Sequence, residues 1–283
     1  MGVISQPDRP RGRGQEVSPS PVKMAAAAAG IPVHQPVKIQ SDDSFDWLAG
    51  IAPEAVVIIA YGQIIPQRHL AIPRYGWINL HASLLPKYRG AAPINWAIAN
   101  GESRTGLTTM RVDARLDTGE ILLQQEVTIG PRETTPELAA RMAEAGAPLI
   151  EKSLLGLQTG SLTPRPQDHS AATYAPLLRR NDGRIPWALT ATEIYNRIRG
   201  FAPWPGAFTT FRGGLCQVSG APSPGTTPAP VGRILTVDGD LIVACGSGTL
   251  LRLESVKMEG RKRVDAREFA SGVRLKDGES FGP

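Results

Sequence analysis

The sequence predicts an α/β domain built on a mostly parallel sheet, followed by a small β-barrel or sandwich. Three observations carry that expectation. Residues 55–61 form a continuous apolar, β-branched run, as expected of a parallel strand buried on both faces. Helix-like stretches alternate with strand-like ones up to about residue 156. After Pro205 the pattern changes to five short β segments separated by Gly-rich turns.

Bulk composition bounds the answer. With 283 residues the chain can bury one large domain, or a large and a small one. The 25 prolines and 30 glycines point to many turns and at least one long connection. A net charge of +5 is compatible with a polyanionic substrate without demanding one. The two cysteines, Cys216 and Cys245, lack metal-type spacing, so a reduced, cytoplasmic setting is expected. No apolar run is long enough to span a bilayer, and the start lacks a signal-peptide pattern, so no membrane partner is expected.

Along the chain, residues 1–23 are basic and turn-rich, with Arg9, Arg11 and Arg13 on a Gly-flanked loop. Residues 23–29 suit a short helix ended by Gly30, residues 31–35 a short strand, and residues 45–48 another helix. The apolar run ends in Tyr61-Gly62 and is followed by residues 63–69 and the strand-like 77–81. Pro93 fits the first turn of a helix to about Asn100. Residues 106–112 and 120–129 read as strands on either side of a turn at 114–119. Thr135-Pro136-Glu137 supplies an N-cap, a proline at the first helical position and an acidic first turn. The helix that follows runs to about Gly156, buries Leu138, Met142, Leu149 and Leu154, and is expected to kink at Pro148. Three regions result: a catalytic domain at 1–156, a proline-punctuated bridge at 157–205 with a helix near 192–200, and a β-rich domain at 206–283 interrupted by a disordered or variable loop at 219–230.

The chemistry concentrates in two places. Asn79 and His81 lie two apart at the end of an apolar strand, so their side chains share a face. Asp117 lies in an Asp-Thr-Gly turn. An amide donor, a titratable ring and a carboxylate are the groups needed to stabilise an oxyanion and move protons in acyl transfer. Each has a plainer reading: a structural histidine, or an aspartate that only caps its turn. Ser83 lacks the Gly-x-Ser-x-Gly elbow of a hydrolase nucleophile.

Several segments together are similar to one family. They are Gln6-Pro-Asp-Arg-Pro-Arg-Gly-Arg-Gly14, Ser18-Pro-Ser-Pro-Val-Lys23, Ala60-Tyr-Gly-Gln-Ile64, the string from Asn79 through Ser83-Leu84-Leu85-Pro86 to Ile94, Leu116-Asp-Thr-Gly-Glu-Ile121 and Phe201-Ala-Pro-Trp-Pro205. In this order they resemble the formyltransferases that use 10-formyltetrahydrofolate, and most closely the branch whose acceptor is initiator methionyl-tRNA. The resemblance implies a Rossmann-like formyltransferase domain with a mostly parallel sheet and an OB-like C-terminal β-barrel. It implies a catalytic trio of Asn79, His81 and Asp117. The amide and the protonated ring would donate to the oxyanion, and the carboxylate would help carry the amine's proton to the departing N10. It implies folate contacts at Tyr61, Gly62, Ile64, Ser83, Leu84, Leu85, Pro86, Leu116 and Thr118, with no metal. It implies tRNA contacts at Arg9, Arg11, Arg13 and Lys262, in a cytoplasmic monomer.

The N-terminus departs from the family pattern. Members begin with a strand and helix carrying a Gly-Thr-Pro-like turn, whereas Met1-Gly-Val-Ile-Ser5 reads as the second strand. The absent strand would be central, and its absence would leave core and backbone unpaired. Two competing functions follow: formyl transfer to another amine, such as an amino sugar nucleotide or a glycinamide ribotide, and an inactive tRNA-binding fragment.

Overall fold

The computed structural model describes residues 1–11 and 16–282. The expectation placed on Arg13 therefore lies outside the described residues. Two compact units emerge, one comprising residues 1–87, 107–125 and 145–172, the other residues 88–106, 126–144 and 173–283.

The chain opens with β1 (Val3–Ile4), then a hairpin of β2 (Arg9–Arg11) and β3 (Glu16–Ser18), in which Arg9 pairs with Ser18 and Arg11 with Glu16. The hairpin replaces the loop expected at the arginines. Helix α1 (Pro21–Ala28) starts where the Ser20 hydroxyl accepts from the Lys23 amide and Pro21 takes the first helical turn. Strand β4 (Val33–His34) returns parallel to β1, which makes a β-α-β unit. Helix α2 (Asp42–Ile51) is capped in the same way by Ser41.

Strand β5 (Val56–Ile58) pairs in parallel with β6 (Trp77–His81), across the short helix α3 (Gln67–Leu70). Helix α4 (Pro93–Ala99) leads into β7 (Arg104–Arg111), antiparallel to β6, and β8 (Ile121–Thr128) completes the order β5-β6-β7-β8. One expectation needs correcting here. The 55–61 run is not buried on both faces: Val57 is 37% and Ile59 59% exposed. Only residues 56–58 are extended, and among the described residues β5 pairs with β6 alone while β1 pairs with β4 alone. Covering by neighbours, which no local propensity supplies, decides how deeply a strand is buried.

Helix α5 (Thr135–Thr159) runs through Pro148 as one element, so the proline does not end it. Proline removes one helical hydrogen bond, but the flanking buried face persists. Leu149 and Ser153 are buried, with the Ser153 hydroxyl donating to the Leu149 carbonyl and bonded to Thr109 at 2.6 Å. Beneath the first sheet, Ile4, Val56, Ile58 and Tyr61 pack on Ile39, Leu48, Ile65 and Trp77.

The second unit contains α6 (Ala191–Gly200), closed at its start by a reciprocal capping box between Thr190 and Glu193. Then follow β9 (Phe208–Phe211), β10 (Gly214–Ser223), β11 (Ile234–Val237), β12 (Asp240–Ala244), β13 (Leu250–Met258), β14 (Val264–Asp265) and α7 (Ala266–Val273). Their pairings are antiparallel, in the order β11-β12-β13-β10-β9 with β14 on β13. The C-terminal tail bridges both edges, Gly282 to Thr210 and Ser280 to Arg233, so the sheet curls toward closure. Two expectations change: β10 extends to Ser223 into the segment read as a disordered loop, and α7, capped by Asp265, was not foreseen. Cys216 and Cys245 lie in this core, and burial pushes both thiols up to about 12, which leaves them as unreactive packing groups.

A buried histidine makes the first unit acid-sensitive. His69 is fully buried against the edge of Phe45, with only a weak contact from its ring to the Ile39 backbone opposing the effect of burial. Burial, and secondarily the Arg68 charge, hold its pKa below the usual value of 6.5. A depressed imidazole keeps its neutral form in the fold, so stability is intact above the unfolded-state pKa and falls as pH drops below it. The expected result is a wild-type Tm that falls between pH 7.5 and 5.5 more steeply than that of His69→Leu; parallel curves would rule the effect out.

Candidate active site

The parallel pair β5 and β6 sets the site at its C-terminal end, where Ile58 lies beside Asn79. Ligands in α/β sheets bind outside the carboxyl ends of the strands. Asn79 and His81 project to one face, and their partners across β7 are Met110 and Thr108. His81 is buried and Asn79 half-buried. The third group arrives from the turn after β7: the Asp117 carboxylate lies 3.7 Å from His81 Nδ1, with both side chains largely shielded from water. That separation is an ion-pair distance and too long for a direct hydrogen bond.

Asp117 gets there through an unusual backbone. Its φ is 51°, in the left-handed region that favours Gly and tolerates Asp. Thr118 donates its hydroxyl to both oxygens of Asp113 at 2.8 and 2.7 Å, which ties the turn across its base. Gly119 is packed so tightly that an added Cβ would collide with the Arg111 carbonyl oxygen, 1.8 Å away.

The loop after β6 is held from below. The Thr108 hydroxyl donates to the Ser83 carbonyl (2.6 Å) and accepts from the Leu85 amide (3.1 Å). The Gln124 amide donates to the Leu85 carbonyl and to Thr108. The buried Ser83 hydroxyl donates to the Lys87 carbonyl, and Leu85 packs on Met110 and Ile121. These two side chains, expected at the folate, are thus spent inside the loop, leaving its backbone and the half-buried Leu84 and Pro86 nearer the surface.

Other residues expected around the folate present a different surface. Ile64 and Leu116 are 79% and 64% exposed, available to a ligand. Gly62 takes a positive φ of 80° at the turn beyond β5. The Tyr61 hydroxyl is buried without a hydrogen-bond partner among the described residues, and burial pushes its pKa up. Tyr61 shares one apolar cluster with Val112, just before the Asp117 turn. Among the described residues no cluster of three His, Cys, Asp or Glu side chains could hold a metal.

Of the residues expected at tRNA, Arg9 stands exposed on the hairpin, within 3.3 Å of Gln6. Gln6 in turn donates to the Tyr61 carbonyl (2.8 Å), so the hairpin base is tied to the strand end. Arg11 is placed only by its backbone, paired with Glu16. Lys262 is exposed in the turn after β13, in the other unit.

The formyl transferase model matches residues 1–154, and the formyl transferase C-terminal domain model matches residues 177–274. The chain belongs to the formyltransferase family. It is 52% identical over 281 residues to the methionyl-tRNA formyltransferase of Solibacter usitatus, covering 99% of this chain and 90% of that one. It is 47% identical over 283 residues to that of Geobacter metallireducens, covering 100% and 90%. Among solved structures, a sugar 3N-formyl transferase, WlaRD, determined with dTDP and 5-N-formyl-THF, superposes with a TM-score of 0.65 at 18% identity, covering 92% of this chain and 88% of that one. The first domain thus has the Rossmann-like formyltransferase fold with a mostly parallel sheet, and the C-terminal domain a mostly antiparallel one.

One residue that holds the site gave no sequence signal. Gln167, in the segment read as a bridge, donates to the carbonyls of Asp117 and Gly119.

Proposed function

We propose that this enzyme transfers the formyl group of 10-formyltetrahydrofolate to the α-amine of initiator methionyl-tRNA, with Asn79, His81 and Asp117 as the reacting groups. The observation that carries the reading is the Asp117 carboxylate 3.7 Å from a buried His81 on the same strand end as Asn79. Curated relatives of near-full-length coverage that act on methionyl-tRNA support the acceptor.

The chemistry follows from the positions. The amine's lone pair attacks the formyl carbon and the carbonyl oxygen gains negative charge. The Asn79 amide and the His81 imidazolium donate to that oxygen, each worth roughly 3 kcal/mol in the transition state. Asp117 stabilises the imidazolium by charge and relays the amine's proton to the departing N10. The new C–N bond forms as the old C–N10 bond breaks, and the proton count balances.

The exposed Ile64 and Leu116, the loop Ser83–Leu84–Leu85–Pro86 through its backbone, and Tyr61, Gly62 and Thr118 would receive the folate. Arg9, Arg11 and Arg13 would grip the acceptor end, with Lys262 adding a salt-dependent phosphate contact. On this reading the enzyme works in the cytoplasm as a monomer, without a metal.

The test is transfer of a labelled formyl group from 10-formyltetrahydrofolate, with charged initiator tRNA and an amino sugar nucleotide offered in parallel. Label should pass to tRNA, and Arg9→Ala should raise KM for tRNA by about fivefold and flatten its salt dependence while leaving kcat within twofold. Label on the sugar alone would overturn the acceptor, and none on either would overturn the activity.

A further inference from the structure

Asp117 does not hold its own position. Its left-handed backbone and the glycine pressed on Arg111 leave the turn a narrow range of geometries, and an exposed Asp-Thr-Gly turn would sample others. The restraint comes from far along the chain. Gln167 Nε2 donates to the Asp117 carbonyl at 2.9 Å and to the Gly119 carbonyl at 2.7 Å, so one amide group clamps the backbone on both sides of Thr118. Gln167 is only 6% exposed, which keeps water from replacing those bonds.

The reach of Gln167 follows from a backbone bridge two residues before it: Arg165 exchanges both backbone hydrogen bonds with Ile121, at 2.8 and 3.0 Å, at the start of β8. The Arg165 guanidinium donates to the Gln124 side-chain Oε1 at 2.5 Å, and Gln124 Nε2 donates to the Leu85 carbonyl. One short segment thus braces both loops that border His81.

We propose that Gln167 is a positioning residue for the transfer reaction: by holding the Asp117 and Gly119 carbonyls it fixes the Asp117 carboxylate against His81. The proposal rests on the formyl-transfer reading. Its test separates the two, because wild-type turnover establishes the reaction before any variant is compared.

Gln167→Met keeps the length and packing of the side chain and removes its donor. It should lower kcat by about 30-fold and leave KM for the formyl donor and acceptor within about twofold, as expected when placement rather than binding is lost. The deciding measurement is a double-mutant cycle in single-turnover assays. Asp117→Asn retains a residue that accepts the left-handed backbone but lacks the carboxylate. In that background Gln167→Met should cost less than about twofold, because nothing remains to be positioned. An equal cost in both backgrounds, or a loss confined to KM, would overturn the proposal. Gln167→Glu, of the same shape but accepting where the amide donates, replaces Met in the cycle if the Met variant fails to fold. The same pattern is expected of it, and an equal cost in both backgrounds would again be fatal.

Discussion

His81→Ala is expected to lower kcat about 1000-fold while KM for methionyl-tRNA stays within a factor of about three. The ring can donate to the developing oxyanion, and the Asp117 carboxylate 3.7 Å away stabilises its charge. Its removal takes away a transition-state interaction, so the loss falls on kcat. On the proposed reading the tRNA contacts lie on Arg9, Arg11, Arg13 and Lys262, so affinity for tRNA is expected to persist. The ring is buried but small, at the end of a strand paired on both sides, so Ala is accommodated. Quenched-flow transfer measurements on purified variant decide the matter. A kcat within tenfold of wild type would remove His81 from the chemistry.

Gly119→Ala has the second large effect, and it acts through backbone. The new Cβ would lie 1.8 Å from the Arg111 carbonyl oxygen and 2.8 Å from its carbon, both parts of a paired strand that cannot swing aside. Relief requires the turn to lift, and Asp117 lifts with it. Overpacking of this kind costs roughly 3 kcal/mol, which in a chain of this size is a Tm lower by about 6–10 °C. The displaced carboxylate should also reduce kcat by at least about 100-fold. Gly50→Ala makes the contrast, because no atom lies within 4 Å of its Cβ position and it sits in helix α2, where Ala is the better residue. Its Tm should equal or slightly exceed wild type. If Gly119→Ala kept both Tm and kcat near wild type, the close approach at Arg111 would not constrain the turn.

Much of this was legible from residues alone, for identifiable reasons. Helix positions were legible and their caps were not: helices expected at 23–29, 45–48 and 192–200 begin earlier, after Ser20, Ser41 and Thr190, which each accept from the amide three residues on. The shared face of Asn79 and His81 followed from the period of a strand. The β-rich second domain was visible in its turn residues, although its closure by the tail at Ser280 and Gly282 was not. Misreadings came where distant partners decide. Residues 55–61 were apolar enough for a buried strand, yet burial needs covering neighbours, and Val57 and Ile59 lack them. At Pro148 the helix continues as one element to Thr159, past the expected end near Gly156, with Leu149 and Ser153 packed beyond the proline.

The sequence by itself determined the chemical inventory: which groups are present, which pairs share a face, and, through its ordered motifs, which family of reactions they suit. Local rules of strand period and turn preference are written in neighbouring residues, so they can be read there. Only the tertiary structure decided where Asp117 stands relative to His81 and what keeps it there, because that contact closes a loop of more than thirty residues. The brace comes from Gln167, 50 residues beyond Asp117, in a stretch whose composition suggested nothing but a connection. A hydrogen bond between residues so far apart leaves no periodic trace in either segment, and it exists only once the chain has brought them together.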